Sequence, residues 1–199
     1  MSQQVSRQPL WAFLGLALGI SILGLAVQKT GAPNVVNPGA ALTEAFQKRV
    51  ADYIKLHNNA EAKLTRLKKP TTASAKIEHY QHELREGIVR QRPHAVQGNI
   101  FTPEISKEFH RLIGLAYQGD ATTIKESMLH AEPGTRQLRV RVNKGYPSNM
   151  PLQSMPASLL SNLPPLPPQL EYRAVGGDLV LRDVGANLIV DMIPGVIPK

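Results

Sequence analysis

"LPPLPPQLEYRAVGGDLVLRDVGANLIVD", residues 163–191, places four prolines in front of three short runs that alternate apolar and charged residues around two glycine-marked breaks. Proline lacks an amide hydrogen and fixes its own φ, so Pro164, Pro165, Pro167 and Pro168 end whatever precedes them and force an extended entry into a sheet. Gly176 and Gly177 suit a two-residue hairpin loop, which sets Ala174 opposite Leu179, Tyr172 opposite Leu181 and Glu171 opposite Arg182. If the turn at Gly185–Asn187 also closes through two residues, Arg182 stands between Glu171 and Asp191. Leu170, Tyr172, Leu179, Leu181, Val190 and Met192 then share the core face, and Glu171, Arg173, Arg182 and Asp191 form an exposed charged face.

Upstream the period changes from two to about 3.6. Leu42, Phe46, Val50, Tyr53, Ile54, Ala60 and Leu64 mark one amphipathic helix, and Ile77, Tyr80, Leu84 and Ile88 a second that Pro93 ends. A third begins at Pro103 after a capping Thr102, with Ile105, Phe109, Leu112, Ile113 and Ala116 inward. Asp120 caps a shorter fourth helix carrying Ile124 and Met128 to about residue 130. "QLRVRVN", residues 137–143, alternates like a half-buried strand, and "ASLLSN", residues 157–162, is a short helix before the prolines. The expected class is α+β: helices over about 42–131 and a small antiparallel sheet of three to four strands within 136–193, together one domain over 41–199.

The segment "LWAFLGLALGISILGLAV", residues 10–27, is apolar throughout, follows Arg7 and precedes Lys29. It reads as an export signal or a retained membrane anchor within residues 1–28, and "GAPNVVNPGA" within 29–40 as a flexible linker. The rest of the chain is then periplasmic or extracellular. No cysteine occurs, which excludes disulfides, thiol catalysis and thiolate zinc. The 23 Lys and Arg against 15 Asp and Glu give +8, but the excess is spread along the chain without stacking aromatics, so nucleic acid is not the expected partner.

Around "EHYQHELRE", His79, His82, Glu83 and Glu86 are a weak metal alternative, because they fall on the helix face opposite Ile77, Leu84 and Ile88 and match no His-Glu-x-x-His pattern. No serine sits in a Gly-x-Ser-x-Gly turn, and no glycine-rich loop opens a helix, so no catalytic residue and no cofactor is assigned. Glu171, Arg173, Arg182 and Asp191 remain as candidate binding residues.

"LPPLPPQLEYR" (163–173), "LVLRDVGANLIVDMIP" (179–194) and "GNIFTPEISKEF" (98–109) resemble a set of uncharacterised exported bacterial proteins over most of the chain after the apolar run. The resemblance implies bacterial export and assigns no residue a role. The expected function is a non-catalytic envelope module that binds a protein, peptide or wall component. The alternative is a hydrolase with an acidic and arginine-lined site at the sheet.

Overall fold

The computed structural model describes residues 38–64, 73–130, 140–147 and 155–198. The apolar run at 10–27 and the linker up to residue 37 lie outside them, as do residues 137–139 and the Met128 side chain. The described residues belong to one compact unit, 36–199, and none of their helices is long and apolar enough to cross a membrane.

The fold is α+β, with four helices and one three-stranded antiparallel sheet of order β1-β2-β3 among the described residues. Helix α1 (Pro38–Glu61) starts three residues inside the expected linker, because Pro38 has the φ of a first helical residue and loses no bond there. Phe46, Val50, Tyr53, His57 and Ala60 repeat at intervals of four and three, which lays one stripe on the core. Helix α2 (Ser74–Gln91) buries Leu84 and Ile88. Ile77, expected on the same stripe, is 37% exposed, so only the second half of α2 is seated in the core. Helix α3 (Pro103–His130) begins where Thr102 Oγ1 accepts the Ile105 N–H at 3.4 Å. The break expected at Asp120 is present: its backbone is non-helical (φ −154°, ψ 49°), and it divides α3 into two helical segments that meet at a kink. Helix α4 (Ala157–Leu160) is a single turn that packs on α3 and delivers the chain to the prolines.

The core centres on four rings from four parts of the chain. Phe46 of α1 lies 5.6 Å from Phe101 and 5.0 Å from Phe109 of α3, and Phe109 lies 6.0 Å from Tyr172 of the sheet. Such offset and edge contacts add about 0.5–1.5 kcal/mol per pair beyond the area buried.

Strands β1 (Leu170–Val175) and β2 (Asp178–Asp183) pair in the expected register, Glu171 with Arg182 and Tyr172 with Leu181. The second hairpin corrects the expectation. Its loop is four residues, 184–187, with Asn187 at φ 47°, and β2 meets β3 (Leu188–Ile193) with a one-residue shift. Leu181 faces Asp191 and Arg182 faces Ile189, so Val190 is a bulge and the strand beyond it reverses its faces. Asp191 therefore turns into the core instead of joining Arg182. Met192, opposite Val180, moves to the outer face. Residues 140–143 do not form the expected strand. The chain turns at Asn143 (φ 61°) and runs beside β3 through the Gly145–Leu188 bridge and a bond from the Asn143 N–H to the Ile189 carbonyl at 2.9 Å. Val140 and Tyr146 still cover the outer face, on Val175, Val180 and Ile189.

Asp191 has no exposed surface, and its two oxygens accept the N–H groups of Gly98 (2.9 Å), Ile100 (2.6 Å), Phe101 (2.9 Å) and Met192 (2.8 Å). Asp191→Ala would orphan these donors and is expected to cost about 3–5 kcal/mol in urea unfolding. Asp191→Asn keeps one acceptor oxygen and should cost less. A cost under about 1 kcal/mol for the alanine variant would show that the clamp does not hold the loop.

Candidate functional site

Three of the four expected binding residues meet on the outer face of the sheet. Glu171 lies between Arg173 Nη2 (2.6 Å) and Arg182 Nη1, and Arg182 also donates to Asn187 Oδ1 from Nε (3.0 Å) and Nη2 (2.7 Å). The Arg182 guanidinium rests on the Tyr146 ring at 5.5 Å. Its side chain is only 8% exposed, so the open charged ladder expected from the alternation is a covered network instead. The cover comes from the 140–147 connection. Burial alone would raise the Glu171 carboxyl, but the hydrogen bonds and charges of the two arginines outweigh it and hold the group below its ordinary value. An ionised, doubly bonded carboxylate suits a structural pair or a ligand-facing anion better than the general acid of a hydrolase. Asp191, the fourth residue, belongs to the core clamp.

His79 and Glu83 form an exposed pair at 3.5 Å along α2, and His82 and Glu86 line a small polar pocket with Lys63 and Arg90. Among the described residues no group of three or more such side chains is arranged to hold a metal ion.

Beside Glu171 and Arg173 lies a cleft of about 630 Å³, walled by α4, the proline segment and β1. Met155, Leu160, Leu163 and Leu166 give it an apolar side. On the other wall the consecutive residues Leu170, Glu171, Tyr172 and Arg173 all line it. Successive strand side chains point to opposite faces, so four in a row can border one cleft only where it runs along the strand's edge. Strand β1 is an edge strand of the described sheet. The Tyr172 hydroxyl, donating to the Pro164 carbonyl at 3.0 Å, ties the proline segment to the strand and keeps the two walls in place.

Sequence reading missed a buried polar cluster on the core face. Asp183, at the end of β2, accepts from Tyr53 Oη (2.7 Å) and from the Ala186 N–H (2.8 Å), and its Oδ2 lies 2.6 Å from His57 Nδ1. His57 Nε2 stands 4.0 Å from Glu61, which also accepts from Tyr80 Oη at 2.9 Å. Both α1 residues sit on the apolar stripe, where Tyr53 reads as core and nothing local marks a partner 126–130 positions away. A carboxylate on Nδ1 is the arrangement that orients a catalytic imidazole. Here the ring is 4% exposed and its other nitrogen faces Glu61, so the cluster joins α1 to the sheet.

Burial pushes the His57 pKa down, but the Asp183 hydrogen bond and charge, with the Glu61 charge, outweigh it and leave the group above its ordinary 6.5. A raised folded-state value means that protonated His57 stabilises the fold fully below about 6.5, and that this contribution fades as pH rises through the higher folded value. Urea unfolding from pH 6 to 9 should therefore show stability declining with pH, and His57→Gln should flatten the decline. An unchanged profile in the variant would overturn the assignment. Arg182→Ala should cost about 2–3 kcal/mol, well above the ~1 kcal/mol ceiling of an exposed pair, because Glu171 Oε1 and Asn187 Oδ1 lose their donors on a covered face while Arg173 still holds Glu171 Oε2.

Compared with protein-family models, curated proteins and solved structures, the chain has no match, and its chemistry is read from its own residues.

Proposed function

We propose that the protein is an exported bacterial envelope protein, directed by residues 10–27, and that its folded part is a non-catalytic module that binds an extended peptide segment. The observation that carries the binding reading is the cleft along the β1 edge, with an apolar wall on one side and four consecutive strand residues on the other. Extended segments add to exposed sheet edges through main-chain hydrogen bonds, while alternate side chains drop into neighbouring pockets. Leu160 and Leu163 are placed to take an apolar side chain, and the Glu171–Arg173 pair to read a charged or polar one.

The export reading rests on the apolar run itself, whose 18 residues would span about 27 Å if helical, against a hydrocarbon core of about 30 Å. A periplasmic or extracellular position, anchored in the inner membrane if the run is retained, suits a cysteine-free chain that needs no redox partner. The partner is then an envelope protein or a peptide-bearing wall component.

Peptide display against the full-length chain should enrich sequences that compete with one another for one site. Leu160 is 40% exposed, so Leu160→Glu should weaken the enriched peptides at least about tenfold without unfolding the protein, whereas Leu115→Glu on the outer face of α3 should leave them unchanged. Equal binding by all three proteins would refute the cleft. Fractionation with mass measurement of the N-terminus tests export, and a soluble cytoplasmic protein beginning at Ser2 would end that reading.

A further inference from the structure

A different cleft, of about 510 Å³, opens where α1 passes the connection between α2 and α3. Arg49, Arg92 and His94 line it together with apolar surface from Tyr53, Leu56 and Ile100. Asp52 is also in the lining, but its carboxylate lies 2.7 Å from Lys55 Nζ and its charge is matched.

Arg92 is the unusual member. Its guanidinium lies over the Tyr53 ring at 5.3 Å, and Nη2 donates to the Val190 carbonyl at 2.9 Å. A guanidinium carries five N–H donors, and these contacts leave part of the fork free. Burial works against its charge and lowers its pKa. Among the described residues no acidic side chain stands within ion-pairing distance of Arg92 or Arg49. Asp191 acts on Arg92 through space, yet its oxygens are taken by four backbone N–H groups. A cation at the C-terminal end of α2 complements the helix dipole, which accounts for one basic residue. It does not account for a concave apolar surface with a second arginine, Arg49, steered by its bond to the Asn99 carbonyl at 2.7 Å.

We propose that this cleft binds a small organic acid, its carboxylate seated on Arg92 and Arg49 and its apolar body against Tyr53, Leu56 and Ile100. A planar carboxylate matches the planar fork of a guanidinium in a bidentate pair. Phosphate sites recruit backbone N–H groups as well, and in this loop those of Gly98, Ile100 and Phe101 are already committed to Asp191. What remains is side-chain charge beside an apolar wall, which selects a carboxylate with a hydrophobic body over a bare oxyanion. No residue of this cleft belongs to the one along β1, so the two readings stand or fall separately.

Calorimetric titration of the full-length chain with benzoate, benzamide and inorganic phosphate tests the assignment. Benzoate is expected to bind saturably at one site, with benzamide and phosphate each weaker by at least about tenfold, a margin that corresponds to loss of one charge-assisted contact. Arg92→Gln should abolish benzoate binding. Because Arg92 is also bonded to the sheet, the exposed Arg49→Gln is the decisive variant: it should weaken benzoate about fivefold or more with an unchanged melting temperature. Leu160→Glu should bind benzoate like the parent. Absence of saturable binding, benzamide or phosphate equal to or tighter than benzoate, parental affinity in Arg49→Gln, or loss of benzoate in Leu160→Glu would each overturn the proposal.

Discussion

A sheet of three six-residue strands carries two fully buried aspartates on its inner face, and each must find donors away from the sheet. Asp183 finds them in Tyr53 and His57 of α1 and in its own turn, and Asp191 finds them in the loop that leads into α3. Apolar packing alone tolerates sliding of helices over a sheet, whereas a buried carboxylate with fixed partners does not. The two aspartates thus set where α1 and α3 sit, and the aromatic cluster of Phe46, Phe101, Phe109 and Tyr172 fills the space they define. The bulge at Val190 is what makes the second clamp possible, because it turns Asp191 from the outer face to the inner one.

The helices were legible in the sequence because their stripes and stops are local. Thr102–Pro103, Pro93 and the Phe46–Val50–Tyr53 spacing each mark an element with residues a few positions apart. The first hairpin was legible for the same reason, since Gly176–Gly177 leaves one register open. The second was not. Asp183 capping the Ala186 N–H and Asn187 at positive φ make a four-residue loop, and the bulge answers a demand from residues 98–101, almost a hundred positions upstream. No alternation pattern within β3 records that demand. The same distance hid the His57–Asp183 pair. It also misplaced one of the four candidate residues: Glu171, Arg173 and Arg182 stand together, while Asp191 serves the core.

The 137–143 alternation misled for a different reason. Val140 is buried as the pattern requires, but Asn143 at positive φ turns the chain after it, so residues 140–147 act as a lid on the outer face, held to β3 around the Gly145 bridge. That lid is why the Glu171–Arg182 network is covered on a face expected to be open. Both clefts border these polar devices. The cleft along β1 is framed by Tyr172 bonded to Pro164, and the other by Tyr53 and Arg92, residues that also bond to the sheet.

The placement of Asp183 and Asp191 about 90–130 positions after their partners has a consequence for the order in which the fold closes. Helices α1 and α2 are synthesised about a hundred residues before the sheet, so Tyr53, His57 and the 98–101 loop stay hydrogen-bonded to water until β2 and β3 are made. The two hairpins close quickly from local contacts, but docking the helices on them requires closing loops of 90–130 residues. Tyr53, His57 and the 98–101 loop therefore reach their native partners only after the sheet has formed. Docking of α1 and of the 98–101 loop is deferred until β2 and β3 have been made, so the longest loops of the fold close last.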